Sequence, residues 1–350
     1  MILIDEYTKL NNSFHKTCVF HLGIDAGFFS EYNYMVFMIL FCLENRIKFK
    51  LYSEDANFGY EKGWTDYFKP FCEEVYESFH HLYNRHPPHT AWKSALEELT
   101  RNRDTSLIRW KLKSEMYLAL SKWKRFRNKG VPFDYYTYDL FDKLAKKNKY
   151  YDIPELGICG DYIQAYNVIC DLIWQFNDST ATEIEFIIKN LGIPEHYIAC
   201  QIRGGDKIIE YDLLSIDLYL EKIANVSTLK NVFVLTDDYA IIRILREKAP
   251  DYNWYTLCQE EEQGYYNTAF SKVSTTIKRK KMIRFFASMQ LLEKSTYLIG
   301  TITATPCITL GIRRRKNIYW VDFDENLFFD SIDFSIKEKK TLSEAFLQLL

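Results

Sequence analysis

The chain has 350 residues, 47% of them hydrophobic and 17% aromatic, with 45 basic against 47 acidic side chains. That apolar content excludes a disordered chain, and the length suits two domains or one large α/β unit. A formal charge of −2 argues against a dedicated nucleic-acid binder, which carries a basic excess.

Residues 17–23 (TCVFHLG) read as a short strand of β-branched and aromatic residues. GIDAGFFSEYN follows with Gly23 and Gly27, then a buried helix over 32–44 and a second strand over 49–52. This is a βαβ opening, so a parallel sheet is expected. The longest apolar run, 35–43, falls short of the roughly 20 residues a membrane-spanning helix needs. The first ten residues lack the charged and apolar regions of a signal peptide. Over 64–79 aromatic residues recur at helical spacing, with Pro70 breaking or offsetting the pattern. Residues 91–129 carry charge, Trp and Leu without a strand signal and read as one or two amphipathic helices. The basic stretch 122–129 reads as a solvated helix face.

A helix is expected over 161–176. Thr180 and Glu183 form a T-x-x-E capping box ahead of the next one, which Gly192 and Pro194 stop. Strands then fall at 197–202, 231–235, 254–258, 296–302 and 317–323. Helices fall at 215–224, 239–248, 281–294 and 342–350. This second βαβ run has the length of a nucleotide-binding half. The boundary lies near 177–182, giving domains 1–178, with a helical insertion at about 80–150, and 179–350. The eight cysteines are scattered without a C-x-x-C pair, so buried thiols in a reducing, cytoplasmic setting are expected. Contact with the cytoplasmic membrane face stays open. His80, His81, His86 and His89 cluster, but no Cys partner stands nearby and no metal site is expected.

The densest polar cluster is CQIRGGDKIIE, residues 200–210. It leaves an apolar strand, turns through two glycines and gathers Arg203, Asp206, Lys207 and Glu210. In an open α/β sheet ligands bind at the carboxyl ends of strands. An Arg there can grip two diphosphate oxygens, and glycines let backbone N–H groups approach. A solvent-exposed turn fits the same residues. In the second cluster, VFVLTDDYAIIRIL, Asp237 or Asp238 caps a helix at a strand end. The third, YLIGTITATPCITLG, brings Thr301, Thr303 and Thr305 to a strand end before Pro306, where a ligand can approach a helix start. No G-x-G-x-x-G, P-loop or G-x-S-x-G motif is present.

Taken in order, these clusters resemble the α-1,6-fucosyltransferase family, which includes the bacterial nodulation fucosyltransferases. The family's H-V-R-R-T-D-K, followed by a Glu, is matched by Gln201-Ile-Arg203-Gly-Gly-Asp206-Lys207 and then Glu210. Its A-T-D-D-P is matched by Leu235-Thr-Asp-Asp-Tyr239, and its F-L-V-C-T-F-S-S by residues 297–304. Its Gly-rich turn and G-G-W-E-T-V-F segment are matched by GIDAGFF and by Gly63-Trp64-Thr-Asp-Tyr-Phe68. The resemblance covers about residues 18–75 and 196–323.

It implies a GT-B fold, two Rossmann-like domains facing across a cleft. It implies an inverting, metal-independent transfer of fucose from GDP-fucose to a glycan hydroxyl, with no cofactor. The partners implied are the nucleotide-sugar donor and an oligosaccharide acceptor, with no nucleic acid. Arg203 would bind the donor β-phosphate, Glu210 would be the base and Lys207 would tune it. Gly27, Gln201, Asp237, Ser288, Thr303 and Ala304 would line the donor site. The family's His is Gln201 here, its second Arg is Gly204, and its guanine-reading Asp aligns with Ser288. A different nucleotide sugar, or a non-catalytic glycan-binding protein of the same fold, remains open. The acceptor depends on loops within 80–175. Among the aromatic residues, Phe37, Phe41, Phe186 and Tyr297 are expected in the core. Phe58, Tyr60, Trp64, Trp92, Trp110, Tyr135 and Tyr136 are candidates for stacking on sugars.

Overall fold

In the computed structural model, residues 2–23, 27–77, 133–137, 150–204 and 214–324 are described, with isolated positions between 80 and 123. The expected helices at 91–129 and 342–350, the basic stretch 122–129 and the insertion fall wholly or mostly outside the described residues.

Helix α1 (Ile2–Asn12) precedes a first parallel sheet of β1 (Lys16–His21), β2 (Ile47–Tyr52), β3 (Glu73–Glu74) and β4 (Tyr135–Tyr136). The strand order is β3-β2-β1-β4, so the order reverses beside β1. Helix α2 (Phe28–Glu44) makes the β1–β2 crossover. Its run Met35 to Leu40 is buried throughout, as befits a helix apolar on every face. A hairpin of β5 (Tyr150–Ile153) and β6 (Ile158–Asp161) then leads into α3 (Tyr162–Ile173) and α4 (Asp178–Leu191).

The second sheet holds β7 (Ile198–Gln201), β8 (Asn231–Leu235), β9 (Asn253–Thr256), β10 (Tyr297–Gly300) and β11 (Ile318–Trp320), in the order β11-β10-β7-β8-β9. Its crossovers contain α5 (Ile216–Val226), α6 (Tyr239–Lys248), α7 (Thr275–Lys294) and α8 (Thr305–Arg314). Every pairing in both sheets is parallel. The strand that starts each run is central, and the chain later crosses to its other side. This is the doubly wound arrangement with a ligand crevice at the reversal point. The expected α/β class with two Rossmann-like halves is the architecture observed.

Several expectations are corrected. Residues 64–79 do not form a helix. A single 3-10 turn, Trp64–Asp66, passes into extended chain that reaches β3. The Asp66 carboxylate accepts four backbone N–H groups, from Tyr60 (2.6 Å), Glu61, Lys62 and Gly63, and so dictates the turn. Helix α4 is capped by Asn177, whose side chain accepts the Thr180 N–H at 2.9 Å, so the helix starts ahead of the expected capping box. Gly192 does end it, in the left-handed conformation. Phe186, expected in the core, is 66% exposed, while Phe37 is buried. Trp64, Phe58 and Tyr136, expected to stack on sugars, are core residues. Trp92 and Trp110 lie outside the described residues.

The aromatic excess has a specific address. Phe28 at the start of α2, Phe68, Trp174, Phe176 and Phe286 of α7 form one ring cluster between the halves. Within it, Phe28 and Phe286 stand 5.2 Å apart and Phe68 and Phe176 5.0 Å apart. Rings at 4.5–7 Å in tilted or offset geometry gain energy beyond their buried area. The cluster joins the start of α2, in the first half, to the middle of α7, in the second.

Candidate functional site

The candidate site lies at the carboxyl ends of β7 and β10, where the strand order reverses. Gln201 is the last residue of β7 and is buried. Among the described residues its Oε1 has no hydrogen-bond partner. An unmade bond on a buried carbonyl is costly, so a donor from a ligand would be favoured there. Two residues on, Arg203 keeps a quarter of its side chain exposed, and its Nε lies 3.6 Å from Asp237 Oδ2. Asp237 stands at the end of the neighbouring β8. Its Oδ1 accepts the Gly204 N–H at 2.7 Å, and its Oδ2 accepts the Tyr265 N–H at 3.0 Å. One carboxylate therefore fixes the turn after β7 and the loop after β9, with Arg203 between them.

Asp238, not Asp237, caps α6 by accepting the Ala240 N–H at 2.9 Å. A Cβ on Gly204 would meet Asp238 Cβ at 3.1 Å. The position of the family's second Arg is thus crowded, and Gly204 lets Asp237 receive the backbone directly.

On the β10 side, Ala304 precedes α8 and supplies no side-chain cap, with Pro306 in the first turn. The helix N-terminus therefore keeps N–H groups that its own side chains do not satisfy, a setting that favours an anion. Thr303 donates its hydroxyl to Thr301 Oγ1 at 3.1 Å. Asp322, just past β11, accepts the Ile302 N–H at 3.0 Å and holds this loop. Burial pushes the Asp322 carboxyl above its ordinary value. Sequence reading missed Asp322. Its signal is its place two residues past an apolar strand, at the same edge as the other site residues. Gly300 is required by packing, since a Cβ there would come within 2.3 Å of Cys307 Sγ.

Ser288 lies on the buried face of α7, and its hydroxyl donates to the Arg284 carbonyl at 2.9 Å. Arg284 itself donates to Glu262 and the Leu257 carbonyl. Gly27 begins α2 in extended conformation without a side-chain cap, and a Cβ there would meet nothing within 4 Å. Lys207, Glu210 and Asp206 lie outside the described residues.

The two uncapped helices meet near their starts. Thr309 of α8 donates to Asn33 Oδ1 of α2 at 3.3 Å. Each residue is about 9 Å or less along its helix from the N-terminus, at 1.5 Å rise per residue. Beside the cleft, Arg279 of α7 stands 5.9 Å from the Tyr60 ring and pairs with Glu183. The carboxyl edge of the second sheet thus carries a cation and an uncapped helix start, both of which favour an anion, and a buried acceptor that would take a donor. No group of metal-ligating side chains is found among the described residues. None of their helices is long and apolar enough to cross a membrane.

No family model and no curated protein matches the chain. Solved structures do. The fucosyltransferase NodZ from Bradyrhizobium is 11% identical, with 89% of this chain and 96% of that chain covered and a TM-score of 0.47. NodZ α-1,6-fucosyltransferase co-crystallised with GDP is likewise 11% identical, covering 89% and 95% at 0.47. POFUT1 in complex with GDP-fucose is 10% identical, covering 87% and 97% at 0.48. At such identity the likeness concerns the path of the chain.

Proposed function

We propose that this chain is an inverting, metal-independent glycosyltransferase that moves fucose from GDP-fucose to a hydroxyl of a glycan. The observation that carries the reading is Arg203, held by Asp237 at the carboxyl end of β7 across from the uncapped start of α8. A diphosphate leaving group gains charge as the glycosidic bond breaks. A fixed guanidinium and a helix N-terminus stabilise that charge where it develops. The motif order around Arg203, and the resemblance it supports, add the sugar and the nucleotide. In that reading Gly27, Thr303 and Ala304 approach the donor through backbone, Glu210 accepts the proton of the acceptor hydroxyl and Lys207 tunes it.

A second donor is favoured by one observation. Ser288 is bonded to its own helix and carries no carboxylate for a guanine edge, so another nucleotide sugar fits the same cation. A transfer and hydrolysis screen across GDP- and UDP-sugars, with Arg203→Ala as control, decides. GDP release from GDP-fucose that the substitution abolishes supports fucose. Turnover with UDP-sugars alone would assign the second reading. No turnover and no nucleotide binding would leave a non-catalytic protein.

A further inference from the structure

The chain that leaves β9 turns back toward α6 before it enters α7, and one carboxylate organises that loop. Glu262 is 16% exposed, and its Oε1 takes the Arg284 guanidinium at 2.7 Å and the Lys281 ammonium at 3.3 Å, both from α7. Its Oε2 accepts the Gln259 N–H at 2.9 Å, and its own N–H donates to the Gln259 carbonyl at 3.0 Å, which closes a tight turn. Arg284 also donates to the Leu257 carbonyl at 3.2 Å, so one guanidinium holds the loop at two points. Burial alone would raise the Glu262 carboxyl, but the Gln259 N–H, Arg284 and Lys281 together hold it below its ordinary value.

The residues that follow reach the candidate site. The Glu262 carbonyl accepts the Tyr239 N–H at 2.9 Å, and Gln263 pairs antiparallel with Asp238. Gly264 has φ +100°, a region that favours glycine, and the turn it makes aims two successive N–H groups at Asp237. The Gly264 N–H meets the Asp237 carbonyl at 2.7 Å, and the Tyr265 N–H meets its Oδ2 at 3.0 Å. Asp237 passes the restraint on, because its Oδ1 accepts the Gly204 N–H and its Oδ2 lies 3.6 Å from Arg203 Nε. A continuous run of hydrogen bonds and ion pairs thus joins α7 to the cation at the end of β7.

We propose that Glu262 is a positioning residue for Arg203: it fixes the loop whose N–H groups hold Asp237, and so keeps the Arg203 guanidinium available to a diphosphate. The diphosphate rests on the transferase reading above; the placing of the Arg203 turn does not. The physical reason is competition for one carboxylate. Asp237 Oδ2 is shared between the Tyr265 N–H and Arg203, and an oxygen already bonded to an N–H draws less on the guanidinium. Once the Glu262 turn opens, the Tyr265 N–H leaves. Asp237 then closes on Arg203 as a full ion pair, and the donors a diphosphate needs are spent within the protein.

The test measures GDP affinity by calorimetry and amide hydrogen exchange, both on the full chain. Glu262→Ala should weaken GDP binding about tenfold. Glu262→Gln keeps an oxygen for the Gln259 N–H and should recover most of that loss. The sign separates positioning from simple charge, since removing an acidic group near the site would by its field alone favour an anion. The double variant with Asp237→Asn should bind GDP no more weakly than the worse of the two single variants, because both act through one carboxylate. In Glu262→Ala the Gly204, Gly264 and Tyr265 amides should lose protection together while those of β8 keep theirs, which also certifies folding. Should Glu262→Ala not fold, Lys281→Met leaves the Arg284 pair in place and should loosen the same three amides to a smaller degree. GDP binding unchanged or tighter in Glu262→Ala overturns the proposal, and so do Gly204 and Tyr265 amides that stay protected. A wild-type chain that binds no GDP would sink the transferase reading, and the exchange measurement alone would then decide whether Glu262 places the Arg203 turn.

Discussion

Asn33 Oδ1 in α2 accepts the Tyr166 hydroxyl of α3 at 2.5 Å, and it also receives the Thr309 hydroxyl of α8. All three groups are buried in the seam between the halves. A single amide oxygen therefore joins three helices, two of which begin at the reversal points of the two sheets. Thr309 shares its proton with the Thr305 carbonyl in its own helix, 3.0 Å away. Replacing Asn33 with Leu keeps the volume and leaves the Tyr166 hydroxyl without its acceptor. The expected loss is about 2–3 kcal/mol, the cost of orphaning a buried donor in a shared network. Urea unfolding of Asn33→Leu beside Tyr166→Phe checks it. Tyr166→Phe removes the donor but leaves Asn33 Oδ1 with the Thr309 hydroxyl, and should cost about half as much.

The turn 60–66 gives a second expectation. Four backbone N–H groups point at one Asp66 carboxylate, which is itself buried. Asp66→Ala removes all four acceptors at once. It should cost about 3 kcal/mol or more. Hydrogen exchange should show the amides of Tyr60, Glu61, Lys62 and Gly63 losing protection together. Protection kept at three of the four would mean the turn stands without the carboxylate.

That turn also shows why part of the fold was illegible. Trp64, Tyr67, Phe68 and Phe71 do have helical spacing, and sequence reading took it for a helix. Their spacing serves instead a ring cluster shared with Trp174 and Phe286, and a local carboxylate–amide bond set overrode the period. The second half was legible because β7, β8, β10 and β11 are short apolar runs with a glycine or an Asp at or just past the end, and α5, α6 and α7 carry Ser or Asp caps. The hairpin of Tyr150–Ile153 and Ile158–Asp161 was missed because only Tyr151 and Ile153 of its first strand and Ile158 of its second are buried, too few for an apolar run. Of the candidate site, Arg203 and Asp237 were legible as a strand-end cation and carboxylate. That one clamps the loop of the other is a long-range fact that local pattern does not carry.

Packing at the end of β10 gives a third expectation. Gly300→Ala would drive its Cβ to 2.3 Å from Cys307 Sγ and 3.1 Å from Cys307 Cβ. Overpacking of this size should cost about 1–3 kcal/mol. Cys307→Ala in the same chain removes the sulfur and should restore part of the loss, so thermal unfolding of the two single variants and the double should be non-additive. Strict additivity would place the strain elsewhere.

The pH dependence of stability has an identifiable source at His80. Its ring is buried beside Tyr52, Phe133 and Tyr136, and burial lowers its pKa below the ordinary 6.5 despite the opposing bond to Glu77. The unfolded chain then binds the proton more readily than the folded one. The sign follows: this contribution is fully present above 6.5 and is lost as pH falls from there through the depressed folded value. Urea unfolding of wild type and His80→Phe between pH 5 and 8 should show curves that converge as pH falls. A constant difference across that range would remove His80 as the source.

The clamp at Asp237 leads to the sharpest separation of roles within the candidate site. Its oxygens accept the Gly204 and Tyr265 N–H groups, and the carboxylate lies beside Arg203. Asp237→Asn keeps one acceptor but turns an NH2 toward a backbone N–H, so one of the two loops must let go. Arg203 would then lose its fixed place against a diphosphate. GDP affinity should fall about tenfold, with a stability loss of about 1–2 kcal/mol from the broken backbone bond. Ser288→Ala is the contrast, because the hydroxyl is satisfied by the Arg284 carbonyl within its own helix. It should leave GDP affinity unchanged. Calorimetric titration of GDP into the two variants decides the matter. If Ser288→Ala weakens GDP binding more than Asp237→Asn does, the base contacts α7 and the anchoring of Arg203 by Asp237 is not what holds the nucleotide.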